Sequence, residues 1–210
     1  MIGLLGGTFD PIHFGHLRTA LEVQETLAMD EVRFLPAPRP RLREEPLVSV
    51  EQRVEMVRLA IAGQASFRLD TQELDRAGPS RSIDTLKQTR DEIGTNEPLA
   101  LIMGSDAFAK LPQWYQWERL LDLAHIVVMK RPDTSLNADD FPPGWLQAHM
   151  TESVNEAAEM PAGQVIPVQV TQLAISATAI RDQLQKRLSV RFLIPEPVRE
   201  YIEANNLYRL

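Results

Sequence analysis

Five short apolar runs constrain this chain most: Ile2–Leu5, Val32–Leu35, Ala100–Met103, Ile126–Met129 and Val165–Val170. They are apolar nearly throughout rather than alternating with polar residues. That character belongs to strands covered on both faces, as in a parallel sheet between two helix layers. The segments between them have helical periodicity, at roughly His16–Ala28, Ser49–Ala62, Ser82–Ile93, Trp114–Leu123, Ser176–Arg187 and Glu196–Asn205. In the first of these, Leu17, Ala20, Leu21 and Leu27 share one helical face.

Strands alternating with helices predict an α/β fold. The expectation is a Rossmann-like, doubly wound, mostly parallel sheet flanked by helices, with a small helical C-terminal part and residues 1–210 as one domain. Two stretches, 36–46 and 131–144, are rich in proline and polar residues and read as loops. The α/β pattern resumes after each, so neither reads as a linker. In open sheets of this kind, ligands bind beyond the carboxyl ends of the strands, near a topological switch point. Chemistry is therefore expected just after the strands.

Composition narrows the chemistry. There is no cysteine, which excludes disulfides, zinc–thiolate sites, iron–sulfur clusters and a thiol nucleophile, and fits the cytoplasm. The net charge of −7 argues against general nucleic-acid binding, although a local cationic site for a phosphate ligand is compatible with it. No apolar run approaches the roughly 20 residues of a membrane helix. The N-terminal MIGLLGGTFDP lacks a basic segment and breaks at glycine, so it reads as a buried strand rather than a signal peptide.

The first strand runs into GGTFDPIHFGH, residues 6–16, which carries two of the four histidines, His13 and His16, with Gly6, Gly7 and Gly15. Glycines there let a ligand approach the backbone, and a helix N-terminus favours an anion. The stretch is neither G-x-G-x-x-G nor a P-loop with its lysine. It offers imidazoles instead, three residues apart at a helix start, where both can face one phosphate. A metal pair is the alternative, with only Asp10 near enough to assist. A second stretch, LAISATAIRDQL (173–184), sets Ser176 as an N-cap, Thr178 in the first turn and Arg181 above them. Alone it reads more readily as an ordinary capped helix with a surface arginine. After the third run, Gly104 permits close backbone approach and Asp106 supplies a carboxylate.

The whole pattern G-G-T-F-D-P-x-H-x-G-H, with I-S-x-T-x-I-R about 160 residues later, resembles the nucleotidylyltransferases that share the histidine motif. The resemblance implies that His13, His16 and Arg181 act on the triphosphate and the departing pyrophosphate. It also implies that Gly6, Gly7, Thr8, Phe9, Gly15, Gly104, Asp106, Ser176 and Thr178 line the nucleotide site. P-x-W-Y at 112–115, GPSRSIDTL at 78–86 and LIPEPVREYIEANNLY at 193–208 are similar to the bacterial nicotinate mononucleotide adenylyltransferases, over essentially the whole chain. By that likeness Trp114 stacks on the pyridine ring, and backbone N–H groups around Ser82 and Tyr115 receive its carboxylate. Arg131 and Arg43 lie on the acceptor side.

The implied substrates are ATP and nicotinate mononucleotide. Mg2+ is carried on the triphosphate rather than in a carboxylate cage. A homo-oligomer is compatible with this reading; a membrane partner is not expected. The sequence also departs from the family pattern. Leu42 stands where an imidazole is common, and Arg81 where tyrosine is common. The alternatives are another phosphorylated acceptor, nicotinamide mononucleotide or phosphopantetheine, or a non-catalytic nucleotide sensor.

Overall fold

The computed structural model of the chain describes residues 1–38, 46–76, 78, 80–130, 135–151, 153–171 and 173–209. Six strands form one sheet: β1 (Ile2–Gly7), β2 (Glu31–Pro36), β3 (Phe67–Leu69), β4 (Leu99–Gly104), β5 (His125–Lys130) and β6 (Val165–Gln169). Every pairing is parallel, in the order β3-β2-β1-β4-β5-β6. After β3 the chain crosses back over β1 to lay down β4, so the switch point lies between β1 and β4. This is the doubly wound, Rossmann-like arrangement.

The strands read as continuously apolar because each feeds two cores. Leu5, Ala100, Ile102, Val127, Ile166 and Val168 face one cluster, which holds residues of α1 (Phe14–Thr26), α2 (Val50–Ile61), α7 (Ala177–Gln185) and α8 (Glu196–Ala204). Leu4, Leu101, Met103, Ile126 and Val128 face the other, with α3 (Ser82–Ile93). Short helices α4 (Ser105–Phe108), α5 (Trp145–His149) and α6 (Val154–Glu159) complete the element order.

Expected and observed bounds agree within two residues for α1, α2, α3, α7 and α8. Ser49 and Ser176 are the N-caps of α2 and α7, just outside the helices they open. Three readings need correction. β3 escaped detection because it has three residues with Arg68 at its exposed centre. The expected helix Trp114–Leu123 is not formed: the span holds one 3-10 turn, Trp117–Leu120, and another, Leu111–Gln113, precedes it. Pro112 sits in the first turn, and Gln116 is left-handed at φ 54°, so α-helical geometry cannot run through. The loop reading of 131–144 also misses the 3-10 turn Ala138–Asp140. Among the described residues, no helix is long and apolar enough to cross a membrane.

Candidate active site

The loop between β1 and α1 doubles back on itself, and its glycines mark where. A Cβ on Gly7 would lie 2.7 Å from the Phe9 ring, which folds over the end of β1. A Cβ on Gly15 would lie 2.8 Å from His13 Nδ1 and 3.5 Å from the carbonyl oxygen of Ile175. The G of H-x-G-H thus lets the first imidazole lie flat on the helix start, and lets the segment before α7 approach. A Cβ on Gly6 or Gly104 would meet nothing within 4 Å. The ends of β1 and β4 therefore leave open space at the switch point.

The two imidazoles form one unit. Their rings stack with centroids 3.7 Å apart, and Phe9 meets His16 edge-on at 5.2 Å. His13 is the N-cap of α1, and its backbone N–H donates to His16 Nδ1 at 3.3 Å. An Nδ1 that accepts leaves the proton of a neutral imidazole on Nε2, so His16 can present an N–H to a ligand. His13 is buried, and among the described residues its Nδ1 has no hydrogen-bond partner. Burial pushes its pKa down from 6.5 to about 4, so at neutral pH this ring is uncharged.

That depression predicts a stability profile. Between pH 6.5 and about 4 the unfolded chain protonates His13 and the folded chain does not. The contribution is present above pH 6.5 and is lost as pH falls toward 4, by about 2–3 kcal/mol. Urea unfolding of wild type and His13→Gln across that range should show this limb in wild type only. Parallel profiles would remove His13 as its source.

Arg181 joins the two motifs. From α7, its NH1 donates to the Asp10 carbonyl oxygen at 2.7 Å and lies 3.7 Å from the Asp10 carboxylate. Its NH2 donates to Thr178 Oγ1 at 3.4 Å, and the Ser176 hydroxyl accepts from the Ala179 N–H at 3.1 Å. These contacts use two of the five guanidinium N–H groups. Ser176 and Thr178 are exposed, as a ligand-facing pair would be.

Beneath this surface lies a network the sequence reading missed. Asp10 is buried; its Oδ1 accepts from the Tyr208 hydroxyl at 2.7 Å and its Oδ2 from the Leu47 N–H at 3.1 Å. Burial and the Asp10 carboxylate push the Tyr208 phenol far above its usual range, so it stays a donor. Arg53 is only 1% exposed and donates to the carbonyl oxygens of Thr8, Ala37 and Pro38 at 2.6, 2.8 and 3.2 Å. It ties the loop after β1 to the loop after β2. The available signal was its spacing: Arg53, Met56 and Val57 share one face of α2, and an arginine on an apolar face must find acceptors.

The remaining expected residues divide. Gly104 ends β4 beside the switch point, and Asp106 is exposed in α4. The Thr8 carbonyl is held by Arg53, and the Phe9 ring is buried, so neither of those groups faces the cleft. Ser82 opens α3, where the first N–H groups lack intrahelical acceptors. Arg81, just before it, lays its guanidinium 3.9 Å from the centroid of the Tyr115 ring, bringing Ser82 and Tyr115 together. Tyr115 is exposed, whereas Trp114 is half-buried and packs partly against the second core, so its indole is not a fully open platform. Trp117 packs on Trp145 and Phe141. Arg43 and Arg131, like Leu42, lie outside the described residues.

A doubly wound sheet with paired imidazoles and an arginine-crossed helix start at its switch point is the framework of a nucleotidylyltransferase. The chain belongs to the cytidylyltransferase-like family, which matches it over residues 4–183. Within that family it stands with the nicotinate-nucleotide adenylyltransferases. A "probable nicotinate-nucleotide adenylyltransferase" of Pseudomonas putida (strain GB-1) is 49% identical over 211 residues, covering 99% of this chain and 94% of the relative. One from Methylococcus capsulatus is 47% identical, covering 99% of each. The fold is also that of a Plasmodium falciparum nicotinic acid mononucleotide adenylyltransferase complexed with NaAD. That structure has a TM-score of 0.71 at 18% identity, over 99% of this chain and 96% of the other.

Proposed function

We infer that the protein transfers AMP from ATP to nicotinate mononucleotide, giving nicotinate adenine dinucleotide and pyrophosphate, in the cytoplasm. The observation that carries this is the Arg181–Asp10 contact, which joins the histidine loop to the start of α7. The full-length likeness to relatives of that name supports the acceptor.

In this reaction a 5′-phosphate oxygen attacks the α-phosphorus of ATP, the α–β bridging bond breaks, and its electron pair leaves on pyrophosphate. The attacking phosphate has a second pKa of about 6, so no base is needed to ionise it at neutral pH. Catalysis is then positioning and charge stabilisation. His16 and Arg181 are placed to donate to the leaving phosphates, with His13 as a neutral partner. Among the described residues, no three His, Asp or Glu side chains converge as a metal site. In this reading magnesium enters as part of the substrate, Mg–ATP.

The test is pyrophosphate release from Mg–ATP with nicotinate mononucleotide, nicotinamide mononucleotide or phosphopantetheine supplied separately. Release is expected with the first and much less with the others. Release with none would reject the activity, and preference for the amide would reject the acceptor. Trp114→Ala is expected to raise KM for the acceptor about tenfold, the scale of one stacking contact, with little change in KM for ATP. Equal changes in both would remove Trp114 from the acceptor side.

A further inference from the structure

Arg81 is a cation that the proposed reaction leaves unused. Among the described residues its buried Nε has no hydrogen-bond partner, and no carboxylate lies within ion-pair distance of its guanidinium. Other arginines here find acceptors. Arg33 bridges Glu31 and Glu92, Arg90 is bonded to four carbonyl oxygens, and Arg76 holds Ser80, Thr85 and Gln88. Arg81 instead makes one ring contact, over Tyr115. That contact fixes the guanidinium between the start of α3 and the Trp114–Tyr115 turn. A buried donor without an acceptor is costly, and the cost disappears if a ligand brings the acceptor.

We propose that Arg81 is a specificity-determining residue that selects a carboxylate-bearing pyridine ring over its carboxamide. This rests on the reading that puts the nicotinate ring between Ser82 and Tyr115. A carboxylate held by N–H groups on those two segments lies within reach of the guanidinium that bridges them. The acid gains a charge-assisted hydrogen bond and a full opposite charge. The amide offers one neutral oxygen and no opposite charge, and turns an NH2 toward donors that it cannot satisfy. The chain thus adds a side-chain charge to recognition by backbone N–H groups alone.

The experiment measures kcat/KM for nicotinate mononucleotide and for nicotinamide mononucleotide, with Mg–ATP, in wild type, Arg81→Gln and Arg81→Lys. The expected result for Arg81→Gln is a fall of about tenfold for the acid, mainly through KM, and a much smaller one for the amide, so the acid-to-amide ratio collapses. Arg81→Lys restores part of the ratio, because it keeps the charge and loses the planar contact. Equal losses for both substrates, with the ratio intact, overturn the proposal; Arg81 would then hold the turn or the shared ribose phosphate. A wild-type enzyme that uses neither mononucleotide, or prefers the amide, instead overturns the proposed function, and this inference with it. Thermal unfolding of each variant separates misfolding from lost selectivity, and Arg81→Lys carries the test if Arg81→Gln does not fold.

Discussion

Replacing His16 by alanine is expected to lower kcat by about 100-fold, the scale on which a preorganised donor to a developing oxyanion acts, with a much smaller change in KM for ATP. The size follows from how firmly the ring is held. It stacks on His13 at 3.7 Å and meets Phe9 at 5.2 Å. The His13 N–H donates to its Nδ1, which leaves an N–H to be carried at Nε2. A donor fixed in advance need not reorganise as charge moves onto the leaving pyrophosphate. On the proposed reading the helix start and Arg181 also hold ground-state ATP, which then loses less from its removal. Single-turnover measurement with nicotinate mononucleotide isolates the chemical step. An unchanged rate there would end the leaving-group role. His16→Asn, which keeps a donor of shorter reach, is expected to fall between the two.

What the sequence revealed and what it concealed follow one physical line. The residues proposed to face a ligand lie in compact local patterns: His13 and His16 on one turn, and Ser176, Thr178 and Arg181 on the start of α7. The strands were visible because burial on both faces leaves little room for polar residues. Residues that hold those patterns in place act across long separations, and no local period encodes them. Tyr208 meets Asp10 from 198 residues away, and Arg53 reaches Thr8 across 45. The Trp114–Leu123 error has the same origin. Its apolar spacing suits a helix, but Trp117 is placed by ring contacts with Trp145 and Phe141, and the backbone bends at Gln116 to make them. Arg81 was noticed as a departure from a pattern, while its unpartnered Nε could be seen only in three dimensions.

Asp10→Asn is expected to cost about 3–5 kcal/mol of stability, the scale for removing one partner from a buried charge network, and to lower kcat in the protein that remains folded. Asparagine is almost isosteric, so the loss is one of charge and donor balance. The carboxylate accepts from Tyr208 on one oxygen and from Leu47 on the other, with Arg181 at 3.7 Å. An amide has one acceptor oxygen. Turned toward Tyr208, its NH2 opposes the Leu47 N–H and the guanidinium. Turned the other way, it meets a phenol that must then give up its role as donor. Arg53, fully buried and balanced in part by the Asp10 charge, loses that balance in either case. Tyr208→Phe provides the contrast, since it removes one neutral donor and is expected to cost about 1–2 kcal/mol with little effect on kcat. Urea unfolding and steady-state kinetics of the two variants decide the point. If Asp10→Asn proves no worse than Tyr208→Phe in stability and rate, the Asp10 charge does not position Arg181. The Arg181 contact with the Asp10 backbone carbonyl would then suffice to hold the two halves of the site together.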